Sequence, residues 1–328
     1  MIETREKLLK ILMQGKPISG DALAFDLGIS ETAVREQVCK LQELGYLIKG
    51  AFEPGYLYLD TPDLLYPWEI RRGLKTQVLA KEIFHFQSVG STNQIALDLA
   101  RKGYPEGTLV VAEEQTAGRG RWRRPWHSPK KKCLLFSLIL RPSILPYLVP
   151  EITLVSGAST ARTIHSHTGI RPGIKWPNDL IYQGKKFSGI LVEMVGSSEV
   201  NCLVLGIGIN VNQESNDFPP ELQDTATSLA IINGGGIPRV PLLQRILETL
   251  EGDYEEYCRR GFAQAREYWL QYEAILGKKV RILVGGEEFL GEAVGLAEDG
   301  ALTLRLPQGE EIRCSAGEVT LCREDDRT

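Results

Sequence analysis

The sequence predicts an α+β protein in three parts, and three observations predict it. The first part reads as three short helices followed by two β-rich runs. The middle alternates apolar, strand-like runs with long helices and carries a loop of glycine and arginine near its centre. The last part returns to short strands and glycine turns. The boundaries fall at 1–62, 63–275 and 276–328. A chain of 328 residues is long enough for two or three domains.

The N-terminal part is read from its spacing and its caps. Residues 4–14 place Leu8, Ile11 and Leu12 on one helical face. Ser19 caps a second helix with Leu23, Ala24 and Leu27 inward, and Gly28 ends it. Ser30 caps a third, with Val34, Val38, Leu41 and Leu44 at helical spacing. Tyr46-Leu47-Ile48 and Gly55 to Leu59 form a ribbon around a turn. This is a winged helix-turn-helix pattern, in which the third helix enters a DNA major groove and the ribbon is the wing. Thr32 and Arg35 are then its outward-facing candidates for DNA, beside Glu36, and Lys49 stands on the wing with Glu53. DNA affinity leans on Lys and Arg meeting phosphates. Residues 1–60 carry 7 Lys+Arg and 9 Asp+Glu, so packing or dimerisation is the competing use of this segment.

The middle part opens on a connector over residues 60–80, with a short helix from Pro67. A strand over Glu82 to Phe86 leads into Ser91-Thr92-Asn93 and a helix carrying Ile95, Ala96, Leu99 and Ala100. Each of the three polar residues could cap that helix, but a cap needs one; the others are free for a ligand. Thr108 to Ala112 is a strand that empties into Glu114-Gln115-Thr116-Ala117-Gly118-Arg119-Gly120-Arg121-Trp122-Arg123-Arg124-Pro125-Trp126. Glycine lets a backbone approach a ligand closely. Successive loop N–H groups can cradle an anion, and arginine adds planar, bidentate phosphate recognition. Alone, such a loop could equally be solvated or bind nucleic acid nonspecifically.

Cys133 to Leu140 is a buried strand and Pro150 to Thr168 a helix. Gly173 to Tyr182 and Lys185 to Met194 form a hairpin that gathers Lys175, Asp179 and Lys186. For these charges the plain alternative is an exposed turn with ordinary ion pairs. A strand over Cys202 to Leu205 runs into Gly206-Ile207-Gly208-Ile209-Asn210. That turn lacks the third glycine and the helix of a dinucleotide fingerprint, and no P-loop pattern exists in the chain. Pro241 to Leu276 is helical with a break near Arg260-Gly261. The strands from Gly277 to Cys322 make a small β-barrel with no site of its own.

Composition excludes several classes. The longest apolar runs fall short of the roughly 20 residues that span a bilayer, and the N-terminus lacks the apolar core of a secretory signal. Six scattered cysteines without a Cys-x-x-Cys pair exclude a zinc ribbon and a disulfide framework. A cytoplasmic protein with no membrane contact is expected. His165-x-His167 is read as a helix end, and no metal ligands are assigned. Residues 61–275 carry 24 Lys+Arg against 22 Asp+Glu while residues 276–328 carry 7 against 11, so the positive charge lies in the middle.

Gly90-Ser91-Thr92-Asn93, Gln115 with Gly118-Arg119-Gly120-Arg121, Lys175 to Asp179 followed by Lys186 to Gly189, and Gly206 to Asn210 stand in an order that resembles the biotin–protein ligases. With the winged helix in front, the chain is similar to the bifunctional bacterial type, ligase and biotin operon repressor in one. The resemblance covers the whole chain. It implies a catalytic domain with a mixed sheet related to class II aminoacyl-tRNA synthetases, and a C-terminal SH3-like barrel. It implies that biotin and MgATP give biotinyl-5′-AMP and pyrophosphate, and that biotin then passes to a lysine of a biotin carboxyl carrier protein. It also implies a homodimer and operator DNA as partners. Ser91, Thr92, Asn93 and Gln115 would recognise biotin, whose ureido ring has donors and an acceptor to satisfy. Gly118, Arg119 and Gly120 would grip acid and phosphates, Arg121 would hold the adenylate, and Trp126 would pack over it. Lys186 would contact the biotin carboxylate and the α-phosphate, with Lys175 a second phosphate-side group and Asp179 a partner to metal or acceptor lysine. Asn210 would read adenine, and Gly189 and Gly206 would admit biotin to the backbone. Two departures stand out. Trp122-Arg123-Arg124-Pro125 lacks the glycine that some members carry between the later arginines, and Pro125 stiffens it. Glu31 and Glu53 stand where many members are neutral or basic. The related alternatives are a lipoate or octanoate ligase or transferase, and a ligase whose winged helix is vestigial. A ligand-sensing transcription factor without catalysis is the alternative from another class.

Overall fold

The computed structural model describes residues 2–50, 55–196 and 202–322. Glu53 lies outside them. Contacts divide the chain into two units, Met1–Leu64 and Leu65–Thr328.

In the first unit, α1 (Ile2–Leu12), α2 (Gly20–Leu27) and α3 (Glu31–Glu43) precede a ribbon of β1 (Leu47–Lys49) and β2 (Leu57–Asp60). The caps act as the sequence predicts. Ser19 Oγ accepts from Ala22 N at 3.4 Å and Ser30 Oγ from Ala33 N at 3.2 Å. Gly28 ends α2 at φ 65, a left-handed conformation that glycine takes without a Cβ penalty. Leu8, Leu12, Leu23, Val34, Val38 and Leu41 form the core of this unit, each at most 1% exposed. Gln42 Nε2 donates to Ile48 O at 2.8 Å and ties α3 to the ribbon.

The second unit opens with α4 (Pro67–Arg71) and β3 (Ile83–Phe86). Next come α5 (Thr92–Arg101), β4 (Leu109–Ala112), β5 (Cys133–Leu140) and α6 (Val149–Thr168). Four strands follow: β6 (Gly173–Lys175), β7 (Asp179–Tyr182), β8 (Lys185–Val195) and β9 (Cys202–Asn210). Then come α7 (Leu229–Asn233), α8 (Arg239–Arg260) and α9 (Ala263–Gln271). The seven strands form one mixed sheet in the order β3-β4-β5-β9-β8-β7-β6, parallel only between β3 and β4.

Alternation along the strands sorts the two faces. On β5, Leu134, Phe136, Leu138 and Leu140 belong to the main core with α6 and α8, while Ile139 packs beneath α5. On β9, Leu203, Leu205, Ile207 and Ile209 face the main core. Cys202 and Val204 join the cluster under α5, and the same face then continues as Gly206 and Gly208. The sequence reading ends this strand at Leu205 and treats Gly206 onward as a turn. The structure extends it to Asn210, because each glycine makes room for a side chain lying on the sheet rather than for a bend.

The chain closes with β10 (Lys279–Val284), β11 (Glu287–Leu296), β12 (Leu302–Arg305), β13 (Glu311–Cys314) and β14 (Glu318–Leu321), ordered β13-β12-β11-β10-β14 and antiparallel. Gly285 and Gly286 turn the β10–β11 hairpin at φ 59 and 95. The Trp176 indole is fully buried and donates to Gly300 O at 3.0 Å, which fastens this sheet to the seven-stranded one.

Candidate active site

Where α5 stops covering the sheet, its first turn, the glycine stretch of β9 and the Gly/Arg loop enclose a cavity of about 120 Å³. Ser91, Thr92, Asn93, Gln115, Arg119, Gly120, Arg121, Trp126, Lys175, Asp179, Lys186, Gly189 and Gly206 all reach its wall. Gly118 and Asn210 do not. Gly118 is buried behind the wall, its oxygen accepting from Trp126 N at 2.9 Å. The Asn210 amide donates to Thr227 O at 3.0 Å and accepts from Gln213 Nε2 at 2.7 Å.

The polar end of the cavity is one hydrogen-bonded network. No side chain at the start of α5 caps that helix through Ser91. Instead Thr92 N and Oγ1 lie 2.7 and 3.0 Å from Gln115 Oε1. Gln115 is thereby held with its oxygen on the protein, leaving both Nε2 hydrogens for a ligand acceptor. The buried Ser137 hydroxyl lies 2.8 Å from Thr92 Oγ1 and 2.6 Å from Asn93 Oδ1. Oδ1 can only accept, so the Ser137 proton goes there. Asn93 Nδ2 donates to Glu193 Oε2 at 2.8 Å, and Arg119 Nη2 donates to Glu193 Oε1 at 2.9 Å. Asn93 thus serves the wall more than the cavity. Ser91 carries a hydroxyl with no protein partner among the described residues.

The glycines have roles that differ from the expected one. A Cβ on Gly206 would sit 2.7 Å from the Asn93 carboxamide carbon and closer still to its oxygen. Gly206 therefore admits Asn93, not a ligand directly. A Cβ on Gly208 would meet the Trp126 indole at 2.9 Å, and one on Gly189 would meet that ring at 3.3 Å and Lys186 Nζ at 3.2 Å. Trp126 lies flat over these two strands.

The Gly/Arg loop folds back on itself as a tongue. Gly120 N donates to Arg124 O at 2.8 Å, and Trp126 N closes on Gly118. Trp122 and Arg123 turn its tip at φ 56 and 58, a conformation that costs a side-chain-bearing residue roughly 1–3 kcal/mol.

The cationic end is organised by carboxylates. Asp179 sits between two lysines, with Lys186 Nζ at 2.6 Å from Oδ1 and Lys175 Nζ at 3.3 Å from Oδ2. Lys186 Nζ also stands 5.4 Å from the Trp126 ring centroid. Arg124 forms a bidentate ion pair with Glu318 of β14. Arg121 differs, because it donates to the neutral Asn178 Oδ1, at 3.3 Å. Burial lowers its pKa from the ordinary arginine value, against the opposing pull of Asp179 and Glu318. A desolvated guanidinium without its own carboxylate is a strong place for an incoming anion.

Sequence reasoning missed Ser137, Gly208, Glu193 and the β14 wall residues Glu318 and Val319. A lone hydroxyl in the run Cys133 to Leu140 was the available signal for Ser137. For Glu318 there was none, since only tertiary docking brings it to the cavity.

Behind the site lies a buried charge pair. Arg239 Nη2 and Glu113 Oε2 are 2.8 Å apart, and neither side chain is exposed. Leu65 N donates to Glu113 Oε1 at 2.7 Å, and Arg239 Nη1 donates to Cys133 O at 2.9 Å. Burial pushes the Glu113 carboxyl up. The His85 hydrogen bond, the Arg239 charge and the Leu65 amide outweigh it, and the group rests below its usual value.

In the first unit Thr32 and Arg35 are exposed on α3, and Lys49 is exposed at the end of β1. The His165 ring, near the end of α6, bonds the Tyr272 hydroxyl at 3.0 Å.

The Biotin/lipoate A/B protein ligase family matches residues 85–210, an HTH domain matches 4–57, and the Biotin protein ligase C terminal domain matches 275–321. The chain is 39% identical to the bifunctional ligase/repressor BirA of Bacillus subtilis, over 93% of this chain and 95% of that protein. It is 28% identical to the protein of the same name from Escherichia coli, over 91% of each chain. The biotin protein ligase of Aquifex aeolicus in complex with biotin and ATP superposes with a TM-score of 0.66 at 32% identity, over 74% of this chain and 100% of that one. The chain therefore belongs to the biotin protein ligase family, in the form that carries a helix-turn-helix domain ahead of the ligase domain and is known as a bifunctional ligase/repressor.

Proposed function

We propose that the chain activates biotin with ATP and transfers it to a lysine of a biotin carboxyl carrier protein. The observation that carries this reading is one cavity with amide and hydroxyl groups at one end and Arg121, Lys175 and Lys186 at the other. Gln115 and Ser91 present hydrogen-bond donors where a ureido oxygen would lie. Leaving such buried groups unpaired is costly, so they select for a ligand that fills them. The biotin carboxylate oxygen attacks the α-phosphorus, the bond from that phosphorus to the bridging oxygen breaks, and pyrophosphate leaves. Lys186 and Arg121 are placed to stabilise the charge on the phosphoryl oxygens. The carrier lysine amine then attacks the acyl carbon, AMP leaves, and the nitrogen gives up a proton.

ATP would bring magnesium, which would neutralise charge on the phosphates; of the wall carboxylates Asp179 and Glu318, Asp179 would hold it. Magnesium is typically held through one or two carboxylates plus substrate phosphates. Lys175 and Lys186 already occupy Asp179, so the ion would loosen one of these pairs. Asn210 keeps one N–H and one lone pair, but it is buried and off the cavity wall, so it would meet an adenine edge only beyond that wall.

The helix-turn-helix unit supports repression of biotin genes through Thr32, Arg35 and Lys49, and two copies on two half-sites would raise affinity, so we propose a homodimer. A cytoplasmic location fits this role; no helix among the described residues is long and apolar enough to cross a membrane. Pyrophosphate release with biotin and ATP tests the enzyme reading, and no release would sink it. Thermal stabilisation by lipoate but not biotin would reverse the substrate assignment. A mobility shift on the promoter of the cell's own biotin genes, at stated salt, tests DNA binding; no shift at low salt would leave a ligase with a vestigial winged helix.

A further inference from the structure

We infer that Glu193 is a positioning residue for biotin, one carboxylate that fixes both the amide of Asn93 and the guanidinium of Arg119; this rests on the ligase reading above. Alternation along β8 puts Gly189, Leu191 and Glu193 on one face. The first two line the cavity and Glu193 comes next along the strand. Leu191 pairs with Gly206 and Glu193 with Val204, so the carboxylate stands beside the gap in which Asn93 lies.

Its two oxygens are divided between two elements. Oε2 takes Asn93 Nδ2 at 2.8 Å and Oε1 takes Arg119 Nη2 at 2.9 Å. The first bond is the shorter of two that Asn93 Nδ2 makes, the other reaching Leu191 O at 3.4 Å, and together they set which way the amide turns. With Nδ2 on the carboxylate, Oδ1 must face Ser137, and the chain continues through Thr92 to Gln115. The second bond holds the root of the tongue, four residues beyond Gln115. Glu193 therefore closes a ring that begins and ends in the same loop. The ion pair alone is partly exposed, at 31% for Arg119 and 26% for Glu193, and such a pair on its own contributes little. Asn93 is only 5% exposed, and its buried donor makes the carboxylate matter. Losing an acceptor for a buried donor is the costly kind of hydrogen-bond deletion.

Glu193→Ala should weaken biotin binding, measured calorimetrically without ATP, by about tenfold or more, the scale of one charge-assisted hydrogen bond. Glu193→Gln should weaken it less, because its carbonyl oxygen still accepts from Asn93. The KM for ATP should stay within about twofold. In an Asn93→Ala background the Glu193→Ala effect should shrink, since the carboxylate acts mainly through that amide. Wild-type biotin affinity in Glu193→Ala would overturn the assignment. So would a fall in melting temperature with biotin and ATP affected alike, which marks a structural role only. A wild-type protein that releases no pyrophosphate removes the ligase reading; an active wild type with an indifferent Glu193→Ala removes only this one.

Discussion

Gly206→Ala tests the wall of the site through a single methyl group. The added Cβ would lie 2.7 Å from the Asn93 carboxamide carbon and 3.0 Å from its nitrogen. Asn93 cannot retreat without releasing Ser137 at 2.6 Å and Glu193 at 2.8 Å. A neutral hydrogen bond contributes about 1 kcal/mol and one to a carboxylate about 1.5–3. The gain from replacing a strand glycine is roughly 0.4–1 kcal/mol. The net loss is then about 2–3 kcal/mol, or some 4–12 °C in melting temperature for a unit of this size. Biotin affinity should fall at least tenfold, because Thr92 and Gln115 hang on the same network. Differential scanning calorimetry and biotin titration read both effects. The double variant Asn93→Ala/Gly206→Ala supplies the cross-check, since the methyl group then has empty space to occupy and should add little to Asn93→Ala alone. A Gly206→Ala protein with wild-type melting and wild-type biotin affinity would refute the reasoning, and so would full additivity in the double variant.

Other perturbations separate the parts of the site. Lys186→Ala should cut the adenylation rate by about 10²–10³, the scale of one preorganised donor at a developing charge, while leaving the melting curve in place; single-turnover pyrophosphate release measures it. Arg121→Gly should speed the escape of biotinyl-5′-AMP, read as its dissociation rate. Glu113→Gln leaves Arg239 buried without its counter-charge, at a cost of about 3–5 kcal/mol, seen as a lower urea midpoint. The pH dependence has a definite sign. The folded Glu113 carboxyl sits below its ordinary value, so its stabilisation is full above the unfolded value of roughly 4.3 and is lost as pH falls through the folded one. Urea midpoints from pH 6 to 3 should fall less steeply in Glu113→Gln than in wild type.

Much of the fold was legible because local signals agreed with the tertiary outcome. Ser19, Gly28 and Ser30 punctuate the first helices as caps do anywhere, and their neighbours bury what periodicity says they should. Cys133 to Leu140 was readable as a buried strand since both of its faces are covered. The failures share a cause. Gly206 and Gly208 carry a turn signal in sequence, yet they are flat strand positions under Asn93 and Trp126. Glycine is needed there for space that distant residues occupy, and a single chain read in order does not show it. The C-terminal sheet was assigned no site for the same reason, since Glu318 acquires its part only by meeting Arg124 across the sequence.

The arrangement of charge gives the cavity its direction. Five cations line it, and four of them stand against carboxylates: Arg119 with Glu193, Arg124 with Glu318, and Lys175 and Lys186 with Asp179. An anion arriving at any of these must compete with a carboxylate already present, which limits nonspecific capture of phosphate. Arg121 bonds the neutral Asn178, lies by the Trp122 ring, has no ion pair among the described residues and is desolvated, so it offers the least contested charge. A ligand that first engages Arg121 then places further anionic oxygens within reach of Lys186, whose bond to Asp179 they would replace. On this reasoning Asp179 withholds the lysines until a ligand with several negative oxygens arrives. A lone carboxylate gains little from them, whereas a nucleotide triphosphate gains from both.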